Sequence, residues 1–394
     1  MKVALIHDWL TGMRGGERVL EIFCQLFPQA DIFTLLHIKG SLSPAIEQRN
    51  IKTSFLQNLP WVSQKYRFYL PLMPTAIEQF NLEGYDLVIS CSHCAAKGVI
   101  TNPETCHICY CFTPMRYVWD LYHQYFGQKK LGWFSRWLIP PLINYLRIWD
   151  CTSTNRVDYF VAISHHVARR IKKYYQRESQ VIYPPINTAL FTPQNGPEDY
   201  FLMVTAFAPY KRVDLAIKAF NLLNYPLKIV GTGPEEKYLK SIAQKNITFL
   251  GWQPDEALRE LYSGCRALIF PGKEDFGLTP LEAQSAGRPV IAYGHGGVLE
   301  TVIPINPINK ETEGEDCPTG VFFYEQSPED LVRAIRYFET TEDIFGQEKI
   351  REHALRFSPS IFKERIKTFI TDTYEEFQQH KGYLSVISKK DVRT

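Results

Sequence analysis

Short apolar runs alternate with amphipathic stretches along most of this 394-residue chain. A short apolar run bounded by Gly, Pro or Asp predicts a buried strand, whereas apolar residues three and four apart predict a helix. In the first half, the predicted strands are Lys2–His7, Ala30–Leu36, Asp86–Ser90, His107–Cys111 and Tyr159–Ile163, and the predicted helices are Glu17–Phe27 and Ser164–Tyr175. Strand-helix alternation of this kind is typical of a parallel sheet with right-handed crossovers.

A second series of the same kind begins after Thr192–Glu198, a stretch rich in Pro, Gly and Asn that we interpret as a linker. Its predicted strands are Phe201–Thr205, Leu227–Val230, Ile247–Leu250, Ala267–Phe270 and Val290–Tyr293, and its predicted helices are Val213–Leu223, Glu235–Gln244, Asp255–Tyr262 and Thr279–Ala286. The pattern predicts an α/β protein with two Rossmann-like, doubly wound parallel-sheet domains at residues 1–190 and 191–357. Residues 358–394 are predicted to form a helix that returns to the first domain.

The amino-acid composition favours a soluble globular protein over nucleic-acid-binding and membrane-spanning proteins. A hydrophobic content of 45%, a charged content of 22% and a net charge of +2 are typical of a soluble globular protein and favour neither nucleic acid nor strongly acidic partners. The apolar start Met1–Ile6 is too short for a signal peptide, and no apolar run approaches the roughly 20 residues of a membrane span. We therefore expect a cytoplasmic protein.

Nine cysteines are expected to be reduced in that compartment. The pairs Cys91-x-x-Cys94 and Cys106-x-x-Cys109, with His93, His107 and Cys111 nearby, allow a zinc interpretation. However, the second pair falls in a predicted strand, where residues three apart point to opposite faces. We favour small buried hydrophobic residues and predict no metal site.

The stretch Lys273–Tyr293 has the pattern of a ligand-binding loop. It follows a predicted strand and places Glu274 in the loop before a helix, where open α/β sheets bind ligands. Thr279 is predicted to be the N-cap and Pro280 the first helical residue, with Glu282 in the first turn. The spacing Thr279-x-x-Glu282 is also typical of a capping box, in which Glu282 serves only its own helix. Glu274 has no comparable capping role.

Three features of the first half are open to two interpretations each. The glycine-rich turn containing Gly15 and Gly16 lets backbone approach a ligand, or serves turn geometry alone. Arg116 is an anion contact or a structural salt bridge. Residues 128–150 mix tryptophans with basic side chains, as membrane-interface helices do, although Pro140-Pro141 is predicted to break the run and packing within the domain is the alternative.

Taken together, the motifs resemble glycosyltransferase family 4, whose members are retaining, nucleotide-sugar-dependent enzymes of the two-domain GT-B architecture. Glu274-x7-Glu282 in EDFGLTPLE is the most specific of these motifs. The supporting motifs are Pro209–Asp214 (PYKRVD), Gly231–Pro234 (GTGP), Leu250–Trp252 (LGW), and VAIS followed by Tyr183–Pro185. APYKRVDLA together with TPMRYVWD is similar to the bacterial mannosyltransferase branch that builds O-antigen and exopolysaccharide repeat units.

The resemblance implies a role for each matching position. Glu274 would contact the donor sugar, Glu282 the ribose, and Lys211 the diphosphate, whose departure requires positive charge on its oxygens. The other implied donor contacts are backbone at Phe276, Gly277 and Leu278 with Thr279 beside them, Gly251 and Trp252 at the base, and Gly15 and Gly16 at the phosphates. No cofactor or metal is implied, and the two domains would face each other across a cleft that closes.

Two positions depart from the family pattern. Ala206 stands where relatives carry an arginine, so Arg212 or Arg116 is expected to supply the missing charge. Phe112 stands where relatives often carry a histidine, so His93 is expected to be the polar contact near the reacting carbon. The predicted reaction transfers mannose from GDP-mannose to a glycan or lipid-linked acceptor. The alternatives are a nucleotide-sugar-binding protein with little or no turnover and, less consistent with EDFGLTPLE, a nucleotide-sugar epimerase.

Overall fold

The chain folds into two compact units, each built on its own parallel sheet. A computed structural model describes residues 1–122, 133–194, 196–305 and 317–391, of which 133–136 and 381–391 are described by backbone alone. Unit 1 comprises Met1–Pro184 and Phe362–Thr394, and unit 2 comprises Pro185–Ile361. The chain thus passes between units at Pro184-Pro185, ahead of the predicted linker.

Unit 1 contains a seven-stranded sheet in which every pairing is parallel. Its strands are β1 (Val3–His7), β2 (Asp31–Thr34), β3 (Ile51–Thr53), β4 (Leu87–Ser92), β5 (Cys106–Cys111), β6 (Tyr159–Ala162) and β7 (Gln180–Val181). Its α-helices are α1 (Gly15–Leu26), α2 (Pro44–Glu47), α3 (Val62–Lys65), α4 (Met73–Glu78), α5 (Trp133–Thr152) and α6 (His165–Tyr175). The short strands β3 and β7, of three and two residues, lie at the sheet edges and were not predicted.

Unit 2 contains a six-stranded parallel sheet. Its strands are β8 (Phe201–Val204), β9 (Leu227–Val230), β10 (Ile247–Gly251), β11 (Leu268–Phe270), β12 (Val290–Tyr293) and β13 (Gly320–Phe323). Its α-helices are α7 (Val213–Leu223), α8 (Glu236–Ile242), α9 (Asp255–Gly264), α10 (Leu278–Ser285), α11 (Pro328–Glu339) and α12 (Gln347–Leu355). The final helix α13 (Pro359–Asp391) starts at the end of unit 2 and continues in unit 1.

Alternate residues of the central strand β8 pack into two separate cores. Phe201 and Met203 belong to one hydrophobic cluster, and Leu202 belongs to the other. Because successive side chains of a strand point to opposite faces, the sheet has a core on each side. The predicted doubly wound α/β class is therefore confirmed.

The strand order of each sheet reverses direction at one place. The order in unit 1 is β3-β2-β1-β4-β5-β6-β7, and the order in unit 2 is β10-β9-β8-β11-β12-β13. In unit 1, β2 and β3 are added on one side of β1, and β4 and the later strands are added on its other side. In unit 2, β9 and β10 are added on one side of β8, and β11 and the later strands on its other side. Loops that follow these strands diverge there, and the crevice between them is where doubly wound sheets bind ligands.

The prediction of a break at Pro140-Pro141 was wrong, because α5 continues through both prolines. The helix loses two backbone donors there, but its second half is anchored by the buried residues Ile143, Leu146 and Trp149. On another side of α5, Trp137, Leu138, Tyr145 and Ile148 are exposed. Residues 128–132 lie outside the described residues. No helix in the described part is both long and apolar enough to cross a membrane.

Helix α13 packs onto unit 1 through aromatic side chains. The ring centroid of Phe362 lies 6.3 Å from that of Phe23 and 5.7 Å from that of Tyr110, in edge-on contacts. Ile366 and Ile370, one and two turns further along, are buried as well. The spacing of 362, 366 and 370 is that of a single helix face, which explains why this part of the helix was visible as a periodic apolar pattern.

Candidate active site

The loops that follow β8 and β11 meet at the reversal point of unit 2. The Nζ atom of Lys211 lies 2.5 Å from Oε1 of Glu274, and the two side chains are 15% and 18% exposed. A side chain at Gly272 would come within 3.1 Å of the Lys211 Cα, so a glycine permits the two loops to approach this closely. Glu274 of the EDFGLTPLE motif and Lys211 of the PYKRVD motif therefore form an ion pair.

Two further glycines, Gly296 and Gly297, support the backbone of Glu274, and neither was predicted as part of the site. The backbone N–H of Gly297 donates to the Glu274 carbonyl at 2.9 Å, and Glu274 forms a parallel bridge with Gly296. A Cβ on Gly296 would lie 2.4 Å from the Glu274 carbonyl oxygen, and one on Gly297 would lie 2.2 Å from that of Asp275. The Gly-Gly dipeptide after β12 is a turn signal that the sequence shows. Its contact with the Glu274 loop, about twenty residues earlier, could not be predicted from the sequence.

The predicted start of the helix after Glu274 was wrong. Helix α10 begins at Leu278 and its N-cap is Gly277, with φ of +100°, which makes no side-chain capping bond. Gly277 can adopt this left-handed conformation at little cost, so the chain turns there rather than at Thr279. Thr279 and Pro280 lie inside the first turn, and Glu282 lies in the second.

Consequently the capping-box interpretation of Glu282 does not hold. The Glu282 side chain is buried, and its Oε2 accepts a hydrogen bond from the Tyr262 hydroxyl at 2.8 Å. Tyr262 is fully buried at the end of α9 and packs edge-on against Phe191. Tyr262 therefore fixes the carboxylate of Glu282, and sequence spacing gave no sign of this pairing.

Arg212 follows Lys211 but has different partners. Its Nε lies 3.2 Å from Oδ1 of Asp214, and one of its terminal nitrogens donates to Oε1 of Gln326 at 3.2 Å. Gln326 in turn donates to the Pro271 carbonyl at 3.0 Å. Arg212 is thus tied to the loop after β13, while Lys211 alone of the two pairs with Glu274. The side chain of Ala206 is exposed.

Glycines also bring the loops after β8, β9 and β10 close together. A Cβ on Gly231 would lie 1.7 Å from the Thr205 carbonyl oxygen, and one on Gly233 would lie 2.6 Å from that of Phe207. The Gly231 N–H donates to the Gly251 carbonyl at 2.8 Å. Trp252, the next residue, is 74% exposed. The GTGP and LGW motifs therefore lie on adjacent loops at the carboxyl edge of the sheet.

In unit 1, the predicted glycine turn before α1 is in fact the start of that helix. Gly15 and Gly16 are its first two residues, and a capping box joins Arg14 to Glu17, whose Oε2 accepts the Arg14 N–H at 3.1 Å. The absence of a Cβ at Gly16 leaves its Cα close to the rings of His7 and Phe112. Both glycines present backbone N–H groups at the positive end of a twelve-residue helix.

His93 lies at the reversal point of unit 1, directly after β4. Its Nδ1 lies 2.9 Å from Oδ2 of Asp8, the residue that follows β1. The His93 ring meets the edge of Trp9 at a centroid distance of 4.4 Å, and Phe112 lies 6.4 Å away. Phe112 and His93 therefore lie in the same group of rings. His93 is the residue that we expected to make the polar contact for which relatives use a histidine at the position of Phe112.

The loop after β5 is held by an arginine that the sequence analysis missed. Arg170 of α6 donates to Oγ1 of Thr113 at 2.5 Å and pairs with Asp120. Arg116 lies inside this loop, and its carbonyl accepts the Leu121 N–H at 2.9 Å. Arg170 therefore contacts both ends of the TPMRYVWD segment, Thr113 and Asp120.

The cysteines of the two Cys-x-x-Cys pairs, together with Cys111, are packed as small core residues. Cys91, Cys94, Cys106, Cys109 and Cys111 are buried and free of disulfides. Burial raises the pKa of the Cys106 thiol to about 12. Within the described residues, no three His, Cys, Asp or Glu side chains are grouped so as to hold a metal ion.

Comparison with known proteins finds a family model that matches most of unit 2. Residues 191–356 match the family model described as "Glycosyl transferases group 1". Over this range the chain is similar to the group 1 glycosyl transferases. The match includes the Lys211–Glu274 pair, both glycine motifs and Glu282.

Individual relatives extend the similarity beyond this domain. A glycosyltransferase of Methanocaldococcus jannaschii is 25% identical over 57% of this chain and 61% of its own length. The O-antigen chain mannosyltransferase RfbU of Salmonella typhimurium is 27% identical over 48% of this chain and 64% of its own. The chain thus spans less than two thirds of the length of these curated relatives.

Among solved structures, Anabaena Alr3699/HepE in complex with UDP has a similar fold. The TM-score is 0.67 at 16% identity, and the match covers 94% of this chain and 100% of that one. At this identity the likeness shows the fold alone. The chain therefore has the fold of GT-B glycosyltransferases, and its residues 191–356 are similar to the group 1 glycosyl transferases.

Proposed function

We propose that the protein is a retaining glycosyltransferase that transfers mannose from GDP-mannose to a glycan or lipid-linked acceptor in the synthesis of a cell-surface polysaccharide or glycolipid. The observation that carries this proposal is the Lys211–Glu274 pair at the reversal point of the group 1 domain. Relatives named as O-antigen mannosyltransferases support the choice of mannose. The UDP complex of the Anabaena protein supports a nucleotide ligand.

In this proposal Lys211 neutralises the diphosphate of the donor and Glu274 binds the sugar. The bond between the anomeric carbon and the diphosphate oxygen breaks, and the acceptor hydroxyl oxygen bonds to that carbon from the same face. The hydroxyl proton passes to the departing phosphate. The ammonium group of Lys211 stabilises the charge that develops on the leaving group, so no metal ion is needed for this step.

The other residues of the proposed donor site lie on or beside the loops after β8, β9, β10 and β11, which glycines allow to approach one another. Glu282, fixed by Tyr262, accepts hydrogen bonds from the ribose, and Gly251 and Trp252 border the base. The N–H groups at the start of α10 hold the sugar hydroxyls, because the first turn of a helix has free donors. Arg116 and the N-terminus of α1, with Gly15 and Gly16, supply further anion contacts.

A panel of nucleotide sugars tests the donor by thermal shift, since a ligand that binds only the folded state raises its melting temperature. We expect GDP-mannose to give the largest shift. Lys211→Gln should remove most of that shift, whereas Lys240→Gln should not. Lys240 is a suitable control because it also pairs with a glutamate, Glu236 at 2.7 Å, but on the exposed surface of α8. Equal shifts with all nucleotide sugars would contradict a specific donor.

A second function, nucleotide-sugar binding with little or no turnover, is favoured by Ala206 and by the engagement of Arg212 with Asp214 and Gln326. Release of GDP from GDP-mannose in the presence of bacterial lipid extract distinguishes the two functions. Stable binding with no release of GDP would establish the binding protein and reject the transferase.

We further propose that α5 contacts the inner face of the plasma membrane. Trp137 is 77% exposed, and the apolar side chains of Leu138, Tyr145 and Ile148 are exposed with it. Aromatic and apolar side chains of this kind insert at the level of lipid headgroups. Sedimentation with vesicles that contain anionic lipid should fall at least several-fold in Trp133→Ala/Trp137→Ala. Unchanged sedimentation would limit α5 to packing within unit 1.

A further inference from the structure

The reversal points of the two sheets each carry one bonded pair of side chains. In unit 2 the pair is Lys211 after β8 and Glu274 after β11, and in unit 1 it is Asp8 after β1 and His93 after β4. In both sheets these are the two strands between which the order reverses. Asp8 therefore occupies the position in unit 1 at which a doubly wound sheet places its ligand contacts.

Asp8 is nevertheless too deeply buried to touch a ligand itself. It is fully buried, and its carboxylate accepts four backbone N–H groups from the segment after β4. Oδ2 accepts those of His93 and Cys94 at 2.7 and 3.0 Å, and Oδ1 accepts those of Ala95 and Ala96 at 2.6 and 2.7 Å. These four bonds fix both oxygens, so the carboxylate cannot rotate away from His93.

The His93 ring is held by Asp8 on one side and by Trp9 on the other. Its Nδ1 lies 2.9 Å from Asp8 Oδ2, and Trp9 meets it edge-on at 85°. A carboxylate accepts only a proton-bearing nitrogen, so the neutral ring carries its proton on Nδ1. Nε2 has no partner among the described residues, and the side chain is 29% exposed. Nε2 is therefore the nitrogen that a ligand can reach.

We infer that Asp8 is a positioning residue, which fixes the tautomer and the orientation of His93 so that the Nε2 lone pair accepts a hydrogen bond from a hydroxyl of the transferred sugar. The inference rests on the proposed transferase function for the identity of the ligand. The contact between Asp8 and His93 and the orientation of the His93 ring do not depend on that function. A hydroxyl is the matching chemical group because an unprotonated ring nitrogen requires a donor.

The tautomer can be measured directly in the unmodified protein. In protein labelled with ¹⁵N-histidine at about pH 8, where an ordinary imidazole is neutral, His93 should show a protonated Nδ1 and an unprotonated Nε2. The His93→Gln variant assigns the signals among the ten histidines. A dominant Nε2–H form of His93 would overturn the inference whether or not the protein is a transferase.

Turnover of GDP-mannose tests whether this orientation matters. Loss of the group that orients a metal-ligating histidine costs about 10- to 100-fold, and Asp8 holds the His93 ring in the same way, so Asp8→Asn should lower kcat by at least about tenfold. The affinity for GDP, which lacks the sugar, should not change. Asp158→Asn is the matched control, because Asp158 also accepts the N–H of a histidine, His107 at 2.7 Å, but at the opposite end of the sheet from Asp8.

A double variant separates positioning from a general loss of structure. If Asp8 acts through His93, Asp8→Asn should lower kcat in the wild type but have no further effect in the His93→Gln background. An equal loss in both backgrounds would overturn the inference, because Asp8 would then act only by stabilising the fold. If the wild type turns over no nucleotide sugar, the proposed function fails, and the tautomer measurement alone decides the role of Asp8.

Discussion

The two glutamates near the start of α10 differ in their partners, and the partner determines what each can do. Glu274 pairs with Lys211 at 2.5 Å in a partly exposed position, so an anionic ligand can compete for the lysine. Glu282 is buried and bonded to the Tyr262 hydroxyl, so its position is fixed before any ligand binds. Glu282, as a hydrogen-bond acceptor of fixed position, suits recognition of a ribose. The Lys211–Glu274 ion pair can exchange partners, so Lys211 can stabilise negative charge that develops on the leaving group during the reaction.

Removing the Tyr262 hydroxyl should therefore weaken nucleotide binding specifically. In Tyr262→Phe, the Glu282 carboxylate loses a buried hydrogen bond, and we expect a loss of affinity for GDP of about five- to tenfold. Inorganic pyrophosphate, which has no ribose, should bind as in the wild type. Calorimetric titration of both ligands makes this comparison. Equal weakening of GDP and pyrophosphate would contradict a ribose contact at Glu282.

At the scale of elements, the position of the Glu274 loop depends on the turn after β12. Gly296 has φ of +90°, and its Cα approaches the Glu274 backbone so closely that a Cβ would lie 2.4 Å from a carbonyl oxygen. Neither the loop nor the turn can relax alone, because the Gly297 N–H bonds to the same carbonyl. The turn and the loop therefore form one unit that positions Glu274.

Gly296→Ala should displace the loop and lower turnover by more than tenfold. Gly40→Ala is the control for backbone strain, because Gly40 has φ of +80° and open space around its Cα. An alanine is strained at both of these positive-φ positions, but only the one at Gly296, where φ is +90° and ψ is −147°, adds a steric clash at the site. Transfer rates and melting temperatures of the two variants would show the difference. Similar transfer rates would contradict the support of Glu274 by Gly296.

The elements that could be predicted from the sequence are those whose signal is local. Apolar runs identified the central strands, and the apolar spacing of Phe362, Ile366 and Ile370 identified the last helix. The continuation of α5 through Pro140-Pro141 could not be predicted, since it depends on burial of the following residues in a distant core.

The candidate site shows the same division. Lys211 and Glu274 were identified from motifs, and Glu274 also because it lacks a capping role. Tyr262, Gly296 and Asp8 were missed, because each acts on a segment at least twenty residues away. Thr279 was assigned as the N-cap from a correct local preference, but Gly277 took that role because its positive φ lets the chain turn earlier.

At the scale of the whole molecule, both units place a bonded pair at the reversal point of a doubly wound sheet, but their interiors differ. Unit 1 contains buried ionisable groups that unit 2 lacks at the corresponding strands. His107 of β5 is fully buried, with Ser90 Oγ 2.8 Å from its Nε2. Burial lowers the pKa of His107 to about 4.

This low pKa predicts how the stability of unit 1 depends on pH. The unfolded chain binds the His107 proton near pH 6.5, whereas the folded chain binds it only near pH 4. The neutral histidine thus contributes its full stability above about pH 6.5, and this contribution falls as pH drops towards 4, by about 3 kcal/mol in all. Asp8, whose pKa is raised by burial but lowered overall by His93 and by backbone N–H groups, adds a further loss only at lower pH.

Urea unfolding followed by tryptophan fluorescence can measure this dependence, because only Trp252 of the seven tryptophans lies outside unit 1. Between pH 6.5 and 4, His107→Gln should reduce the slope of unfolding free energy against pH by up to about 1.4 kcal/mol per pH unit. His380→Gln, an exposed histidine on α13, should leave the slope unchanged. A slope that is the same in all three proteins would contradict a neutral buried His107.

We propose that Glu274 serves the reaction and not the fold. Glu274→Gln keeps the size of the side chain and its contact with the Gly296 turn, which is made by the backbone. The melting temperature should stay within a few degrees of the wild type, because the ion pair with Lys211 is partly exposed and contributes about 1 kcal/mol. The decisive measurement is the rate of mannose transfer from GDP-mannose by this variant. A loss of at least about a hundredfold with an intact fold is expected, whereas transfer at the wild-type rate would contradict a role for Glu274 in the reaction.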